Sequence, residues 1–281
     1  MKTNQPIIIT GMHRSGTSLL AKILIKNSIY MGNPLDCNNE SVFFQRINKW
    51  ILSCVGSSWD NPKSIKGLSE KDLSIIIGKL NNVLENKISK SLYFGKSNLI
   101  KNYSFNNFDM LWGWKDPSNT FTLPIWKKIF PNAKVINITR HPLDVSLSLL
   151  NREEKLKKMD VKSFSSNIIS SLIPLISINK GDLLSSFNIK NNDDCLILYK
   201  KYLDEMSFNE SKYDRIFNIN YESLILEPKN ILYNLFNFLD ISFNKENLHD
   251  IIDGLNTSRV NVYKKKTIIY NGDLLNSIDY K

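Results

Sequence analysis

The chain has 281 residues and a formal charge of +10; 42% of its residues are hydrophobic and 23% are charged. That balance excludes a disordered or fibrous chain and suits one sizeable α/β domain or two small ones. The positive charge fits an anionic ligand or partner, and equally a Lys-, Asn- and Ile-rich composition spread over the surface. No apolar run reaches the ~18 residues of a membrane span. The first motif begins within ten residues of the amino end, which leaves no signal-peptide pattern before it. Cys37, Cys54 and Cys195 lie far apart without metal-type spacing. Free thiols in a reducing compartment, a cytoplasmic location and no integral membrane segment are therefore expected.

In chain order, Ile7-Ile8-Ile9-Thr10 predicts a strand that runs into Gly11-Met12-His13-Arg14-Ser15-Gly16-Thr17-Ser18. Leu19, Leu20, Ile23 and Leu24 then recur at helix spacing. A Gly-bounded loop between strand and helix is a phosphate cradle, because its N–H groups converge at the positive end of a helix. A Walker loop would continue Lys-Ser/Thr, but Thr17-Ser18 stands there, so Arg14 is the cation that can face the anion.

Residues 31–40 are rich in turn formers and predict a loop. Phe43, Phe44, Ile47, Trp50, Ile51 and Cys54 mark an amphipathic helix. Glu40 at its mouth is either a partner for the helix dipole or a general base beside the phosphate loop. Residues 56–67 read as loop, with Trp59 in the core or on a pocket floor. Residues 69–90 predict one helix, opened by a Ser69-Glu70-Lys71-Asp72 capping pattern. Residues 93–109 show no clear period.

Trp112-Gly113-Trp114 reads as a short strand and Asp116-Pro117 as the turn into a helix. Lys115 is either at the ligand-binding edge of the sheet or a solvated lysine. Residues 133–139 predict a core strand ending in Arg140, with His141 just outside a helix that starts at Pro142. Arg140 with Ser146 or Ser148 makes a second anion site. Residues 151–190 suggest a helical cap inserted into a single domain spanning 1–281. A helix at 195–206, a strand at 215–221 with Glu222-Ser223-Leu224 as its exit, and a helix from Pro228 follow. Leu255–Asn261 and Lys264–Lys266 read as a solvated tail.

Gly11 to Ser18, Trp114-Lys115-Asp116-Pro117, Arg140-His141-Pro142 with Ser148, and Tyr221-Glu222-Ser223-Leu224 form an ordered set. Together they resemble the sulfotransferases that use 3′-phosphoadenosine 5′-phosphosulfate (PAPS), especially bacterial branches and the tyrosylprotein sulfotransferases. The resemblance covers about residues 5–55 and 110–260. It implies a P-loop nucleotide-binding α/β fold, with a central parallel sheet flanked by helices. It assigns Arg14, Ser15, Gly16, Thr17 and Ser18 to the 5′-phosphosulfate, and Arg140 and Ser148 to the 3′-phosphate. Arg259 corresponds to a basic residue that closes over the nucleotide. Lys115 and Arg14 would face the leaving group, no metal is expected, and the general base is Glu40, with Asp36 and His13 as alternatives. Part of the family has Phe-Glu where Phe44-Gln45 stands here, and a Gln cannot take a proton. The implied acceptor is a hydroxyl, or an amine, of a saccharide or small molecule, with no nucleic-acid partner. The competing readings are an ATP- and magnesium-dependent P-loop kinase, which would want a Lys after Gly16 and a metal-binding acid at a strand end, and a non-catalytic anion- or glycan-binding module.

Overall fold

In the computed structural model, which describes residues 5–97, 103–158, 185–242 and 245–280, four short strands form one parallel sheet. They are β1 (Ile7–Thr10), β2 (Gly113–Lys115), β3 (Lys134–Thr139) and β4 (Ile216–Asn220), in the order β2-β1-β3-β4. Between and after them come α1 (Thr17–Lys26), α2 (Val42–Cys54), α3 (Glu70–Glu85), α4 (Lys87–Phe94), α5 (Asn119–Ile129), α6 (Pro142–Lys157), α7 (Asn192–Lys212), α8 (Tyr221–Leu226), α9 (Pro228–Leu239), α10 (Lys245–Asp253) and α11 (Gly272–Asn276). This is the α/β architecture, with a parallel sheet flanked by helices, that the motifs imply.

The four residues of β1 are all buried, as expected of a strand covered on both faces. Ile8 joins one cluster with Phe44, Trp112, Trp114 and Trp126. Ile7 and Ile9 point the other way and join Leu20, Leu24, Tyr221 and Phe236. On the first face Phe44 lies flat on Trp114, with ring centroids 3.8 Å apart. Gly113 makes that arrangement possible: a Cβ there would lie 2.0 Å from the Ile7 carbonyl oxygen, so the Trp-Gly-Trp run admits β2 beside β1 only through its glycine.

Two sequence expectations change. The helix expected over 69–90 is two helices, because Asn86 turns extended and its side chain caps α4 by accepting from the amides of Ile88 and Ser89. Ser69 caps α3 as the capping pattern predicts, accepting from the Asp72 amide. The tail is not simply solvated: Lys264–Lys266 are exposed, but Val260 is buried and the Tyr263 amide donates to Asp144 Oδ1 at 2.8 Å. Of the expected cap over 151–190, residues 151–157 continue α6 and 185–190 lead into α7, while 159–184 lie outside the described residues. No helix among the described residues is long and apolar enough to cross a membrane.

A polar knot inside the first cluster aligns the carboxyl ends of β1 and β2. Asn48 Nδ2 donates to Asp116 Oδ2 and Asn119 Oδ1, and its Oδ1 accepts from Thr122 Oγ1 and Trp126 Nε1, all at 2.8–2.9 Å. Asn119 in turn donates to the Ile9 carbonyl. Every member is buried, so removing the hub leaves several groups without partners. Asn48→Ala is expected to cost about 3 kcal/mol of stability. Denaturant titration checks this; a loss no larger than that of an exposed polar position would show the knot to be dispensable.

Candidate active site

The candidate residues gather at the carboxyl edge of the sheet, where parallel α/β proteins bind ligands. The loop after β1 turns on Gly11, Arg14 and Gly16, all with positive φ (135°, 71° and 110°). Gly16 is the N-cap of α1, no side chain caps that helix end, and its first turn carries no acid. The helix end is thus open to an anion. A Cβ on Gly16 would stand 2.5 Å from the Tyr221 ring, which places α8 directly against the loop.

Arg14 Nε donates to Ser148 Oγ on α6 at 2.9 Å. Burial first, then the charges of Arg152, Arg140 and Arg259, pull the Arg14 guanidinium below its usual pKa, a concentration of positive charge that favours an anion. Arg140, just past β3, is buried. Its guanidinium donates to the Arg14 carbonyl (3.3 Å), the Arg259 carbonyl (2.6 Å) and Asp144 Oδ2 (3.3 Å), and stacks on Tyr221. Arg259 therefore meets this site through its backbone, while the residue itself is exposed. Tyr263 stacks on His141 with ring centroids 3.9 Å apart, closing the tail over the start of α6.

On the other side of the loop, Lys115 and Glu40 form a buried ion pair. Lys115 is 1% exposed and Glu40 6%, and Lys115 Nζ lies 2.7 Å from Glu40 Oε1. Gln45 Nε2 donates to Glu40 Oε2 at 2.7 Å, so both carboxylate oxygens are held. Of the two alternatives for Lys115, the ligand-binding edge is where it stands. Asp36 Oδ1 accepts from the amides of Asn38 and Glu40 and shapes the loop that carries Glu40. Asp116 Oδ1 accepts from the Ser118 amide and Oδ2 from Asn48. Burial, reinforced by the charge of Glu40, pushes the Asp116 carboxyl up to about 7.

A cavity of about 810 Å³ opens above these groups, lined by Arg14, Thr17, Ser18, Glu40 and Lys115 and also by His13 and Asp36. The structure thus brings the residues of the first loop together with Glu40 and Lys115 in one space. Arg140, Ser148 and Arg259 are not on its wall and reach it through Arg14. Ser15 is buried behind the loop.

Trp59, read from the sequence as core or pocket floor, is on the cavity wall, stacked edge-on against His13 and face-on under Arg152. Other residues at the site carried no assignment in the sequence. Gln45 proves to be a partner of Glu40. Arg152 could have been found one helical turn beyond Ser148, and Asn48 as a polar residue on the apolar face of α2. Burial, then the charges of Arg152, Lys115 and Arg14, hold the His13 imidazole well below its ordinary pKa, so it is neutral near pH 7. Among the described residues no cluster of three or more His, Cys, Asp or Glu could hold a metal ion.

The model for the "Sulfotransferase family" matches residues 6–245. Among solved structures, the chain is similar to the sulfotransferase domain from the curacin biosynthetic pathway. That likeness has a TM-score of 0.56 at 17% identity, over 99% of this chain and 97% of the other. It is also similar to the sulfotransferase domain from the Synechococcus PCC 7002 olefin synthase, with a TM-score of 0.54 at 16% identity over 100% and 98%. These likenesses establish a shared fold. A search of curated proteins found no match.

The Asp116 carboxyl has a signature in stability. Folded, it keeps its proton up to about pH 7, whereas an unfolded aspartate loses it near ~4. Its contribution is therefore complete below the lower value and is lost as pH rises through the upper one. Across that window the wild type is expected to lose up to about 1.4 kcal/mol per pH unit more than Asp116→Asn. Denaturant titrations of both proteins at intervals from pH 4 to 7 check this; parallel profiles would mean that Asp116 is ionised throughout.

Proposed function

The chain belongs to the sulfotransferase family, and we propose that it transfers a sulfuryl group from PAPS to a hydroxyl, or an amine, of an acceptor such as a saccharide or small molecule. The observation that carries this reading is the buried Lys115–Glu40 pair in the same cavity as Arg14 and the open end of α1. A cation and a candidate base, at contact distance beside an anion cradle, are the two groups that transfer from a phosphosulfate to a neutral hydroxyl requires.

The donor set fits a nucleotide with anionic groups at two ends. Arg14, Ser15, Gly16, Thr17 and Ser18 would hold the 5′-phosphosulfate, Arg140 and Ser148 would hold the 3′-phosphate, and Arg259 would close over the nucleotide. Ser15 Oγ, next to Arg14 in the loop, and Arg140 Nε are both buried polar atoms without a protein hydrogen-bond partner. Bound PAPS supplies the sulfuryl group and, as its leaving group, adenosine bisphosphate.

Glu40 takes the acceptor proton. Gln45 fixes its second oxygen, so Oε1 is the atom shared between Lys115 and an incoming hydroxyl. Once Glu40 is protonated, its pair with Lys115 loses the negative member, and the ammonium charge becomes available at the moment negative charge grows on the leaving side. Removing a preorganised donor of this kind costs about 3–4 kcal/mol of transition-state stabilisation in comparable sites. Asp36 and His13 are weaker candidates for the base: Asp36 is engaged with backbone amides, and the cations around His13 oppose its protonation. The loop at 56–68 contributes Ser57, Ser58, Trp59 and Asp60 to the acceptor side of the cavity. The reading keeps one domain over 1–281 with a cap insertion at about 151–190, a cytoplasmic location, and no metal in the reaction.

Calorimetric titration with 3′,5′-adenosine bisphosphate, and separately with ATP plus magnesium, tests the donor class. Tight, metal-independent binding of the bisphosphate is expected; ATP binding that requires magnesium would make the protein a phosphotransferase. Glu40→Gln is expected to bind the bisphosphate within about twofold of wild type while turnover falls at least ~100-fold. Retained turnover would remove Glu40 as the base.

A further inference from the structure

On the acceptor side of the cavity, one wall is built around Asp60. Ser58 Oγ donates to Asp60 Oδ1 at 2.6 Å, and Ser186 Oγ and Asn188 Nδ2 donate to Asp60 Oδ2 at 2.6 and 3.1 Å. Burial alone would raise the Asp60 carboxyl, but these donors and the residue's own amide outweigh it and hold the group below its usual range. Together they occupy the lone pairs of the carboxylate, so Asp60 holds the wall rather than binding what lies against it. It joins the loop at 56–60 to residues that lie 126 positions further along the chain. A second carboxylate continues the wall: Glu153 Oε2 on α6 accepts from the Ser186 amide at 2.6 Å, and its Oε1 pairs with Arg152.

This network leaves one side chain outside. Phe187 is 81% exposed, although it stands between Ser186 and Asn188, both tied to Asp60, and two positions before Ile189, which is 1% exposed in the core. Its neighbours fix the course of the backbone, so the fold imposes the outward ring. On a cavity wall such a ring offers an apolar face to whatever enters. Trp59, the other aromatic residue on this wall, is already engaged by Arg152 and His13. Beside Phe187, Asn188 spends one N–H on Asp60; among the described residues its amide oxygen and second N–H have no partner.

An apolar face next to an unspent amide suits a ring with C–H groups on its faces and hydroxyls around its edge, which is how a saccharide is built. A phenol or an alkyl alcohol carries a single hydroxyl, and Glu40 takes it. Such an acceptor would gain nothing from the Asn188 amide, whereas a saccharide has further hydroxyls to meet it. We propose that Phe187 and Asn188 form an acceptor subsite for a hydroxylated ring of the saccharide class, and that Asp60 is the positioning residue that presents both. The inference rests on the sulfuryl-transfer reading above and narrows its acceptor.

The test uses the full chain saturated with 3′,5′-adenosine bisphosphate. The proteins are wild type, Phe187→Ala, Phe187→Trp, Asn188→Ala, Asp60→Asn, the double variant Phe187→Ala/Asn188→Ala, and that double variant with Asp60→Asn added. The probes are the methyl glycosides of glucose, galactose, mannose and N-acetylglucosamine, with 4-nitrophenol as the single-hydroxyl comparison, and ligand-observed NMR titration reads their affinities. At least one glycoside is expected to bind more tightly than 4-nitrophenol. Phe187→Ala should weaken it about fivefold, the equivalent of one aromatic contact, and Phe187→Trp should keep it. Asp60→Asn should weaken the glycoside while leaving bisphosphate affinity within about twofold, and its effect should vanish in the double-alanine background, because it acts through those two side chains. No glycoside binding to the bisphosphate complex, or an affinity indifferent to both Phe187→Ala and Asn188→Ala, overturns the subsite. Tighter binding of 4-nitrophenol than of every glycoside overturns the saccharide class. An Asp60→Asn loss that persists in full in the double-alanine background overturns the positioning role. A wild type that does not bind the bisphosphate overturns the donor reading instead, and glycoside titration of the free protein then decides the subsite.

Discussion

The constraint on which the site depends is that Lys115 and Glu40 must be buried together. Taking either charge out of water alone costs several kcal/mol, and their attraction offsets that only when the remaining hydrogen-bonding groups are also satisfied. The surrounding elements meet this demand. Gln45 on α2 covers the second oxygen of Glu40, the Asp36 loop presents Glu40 from behind, and the Asn48 knot fixes the end of β2 from which Lys115 projects. Asp116, the next residue along, is buried as well, and that burial first, then the charge of Glu40, pushes its carboxyl up. The aromatic stack of Phe44 on Trp114 places α2 over β2, which is why the carboxylate just before α2 meets the ammonium at the end of β2.

The opposite half of the site is organised by repulsion. Arg14, Arg140, Arg152 and Arg259 would disperse if each were left to solvent. Several of their partners are uncharged: backbone carbonyls for Arg140, the Ser148 hydroxyl for Arg14, and the Trp59 and Tyr221 rings beneath Arg152 and Arg140, while Asp144 and Glu153 each place one carboxylate beside Arg140 and Arg152. The uncharged partners fix geometry without cancelling positive potential, which suits a polyanionic ligand. The two halves have different electrostatic characters, one balanced and dry, the other positive and partly open. The loop from Gly11 to Gly16 lies between them.

What was legible in the chain was local. Four apolar residues running into a Gly-bounded loop, a β-branched strand ending in Arg140, and Pro142 at the start of α6 each announce their own geometry through sterics and periodicity. Glu40 and Lys115 were each legible as alternatives, but not as a pair, because 75 residues separate them and contact depends on how α2 packs over β2. The break at Asn86 was missed because the apolar stripe continues across it. The docking of the tail was missed because a basic, polar segment carries no periodic signal; what holds it is a backbone amide on Asp144, a backbone carbonyl under Arg140 and one stacked ring. Backbone groups are the same in every residue, so sequence does not single them out.

That docking has a consequence for how the molecule is made. The first loop begins at Gly11, yet Arg140 is braced by the carbonyl of Arg259, and α6 is covered by Tyr263. A growing chain can form that loop early, but the brace on Arg140 and the cover on α6 must wait until residue 263 has emerged. By then all four strands have been made, so the Arg140 side of the site is the last part of it to be assembled.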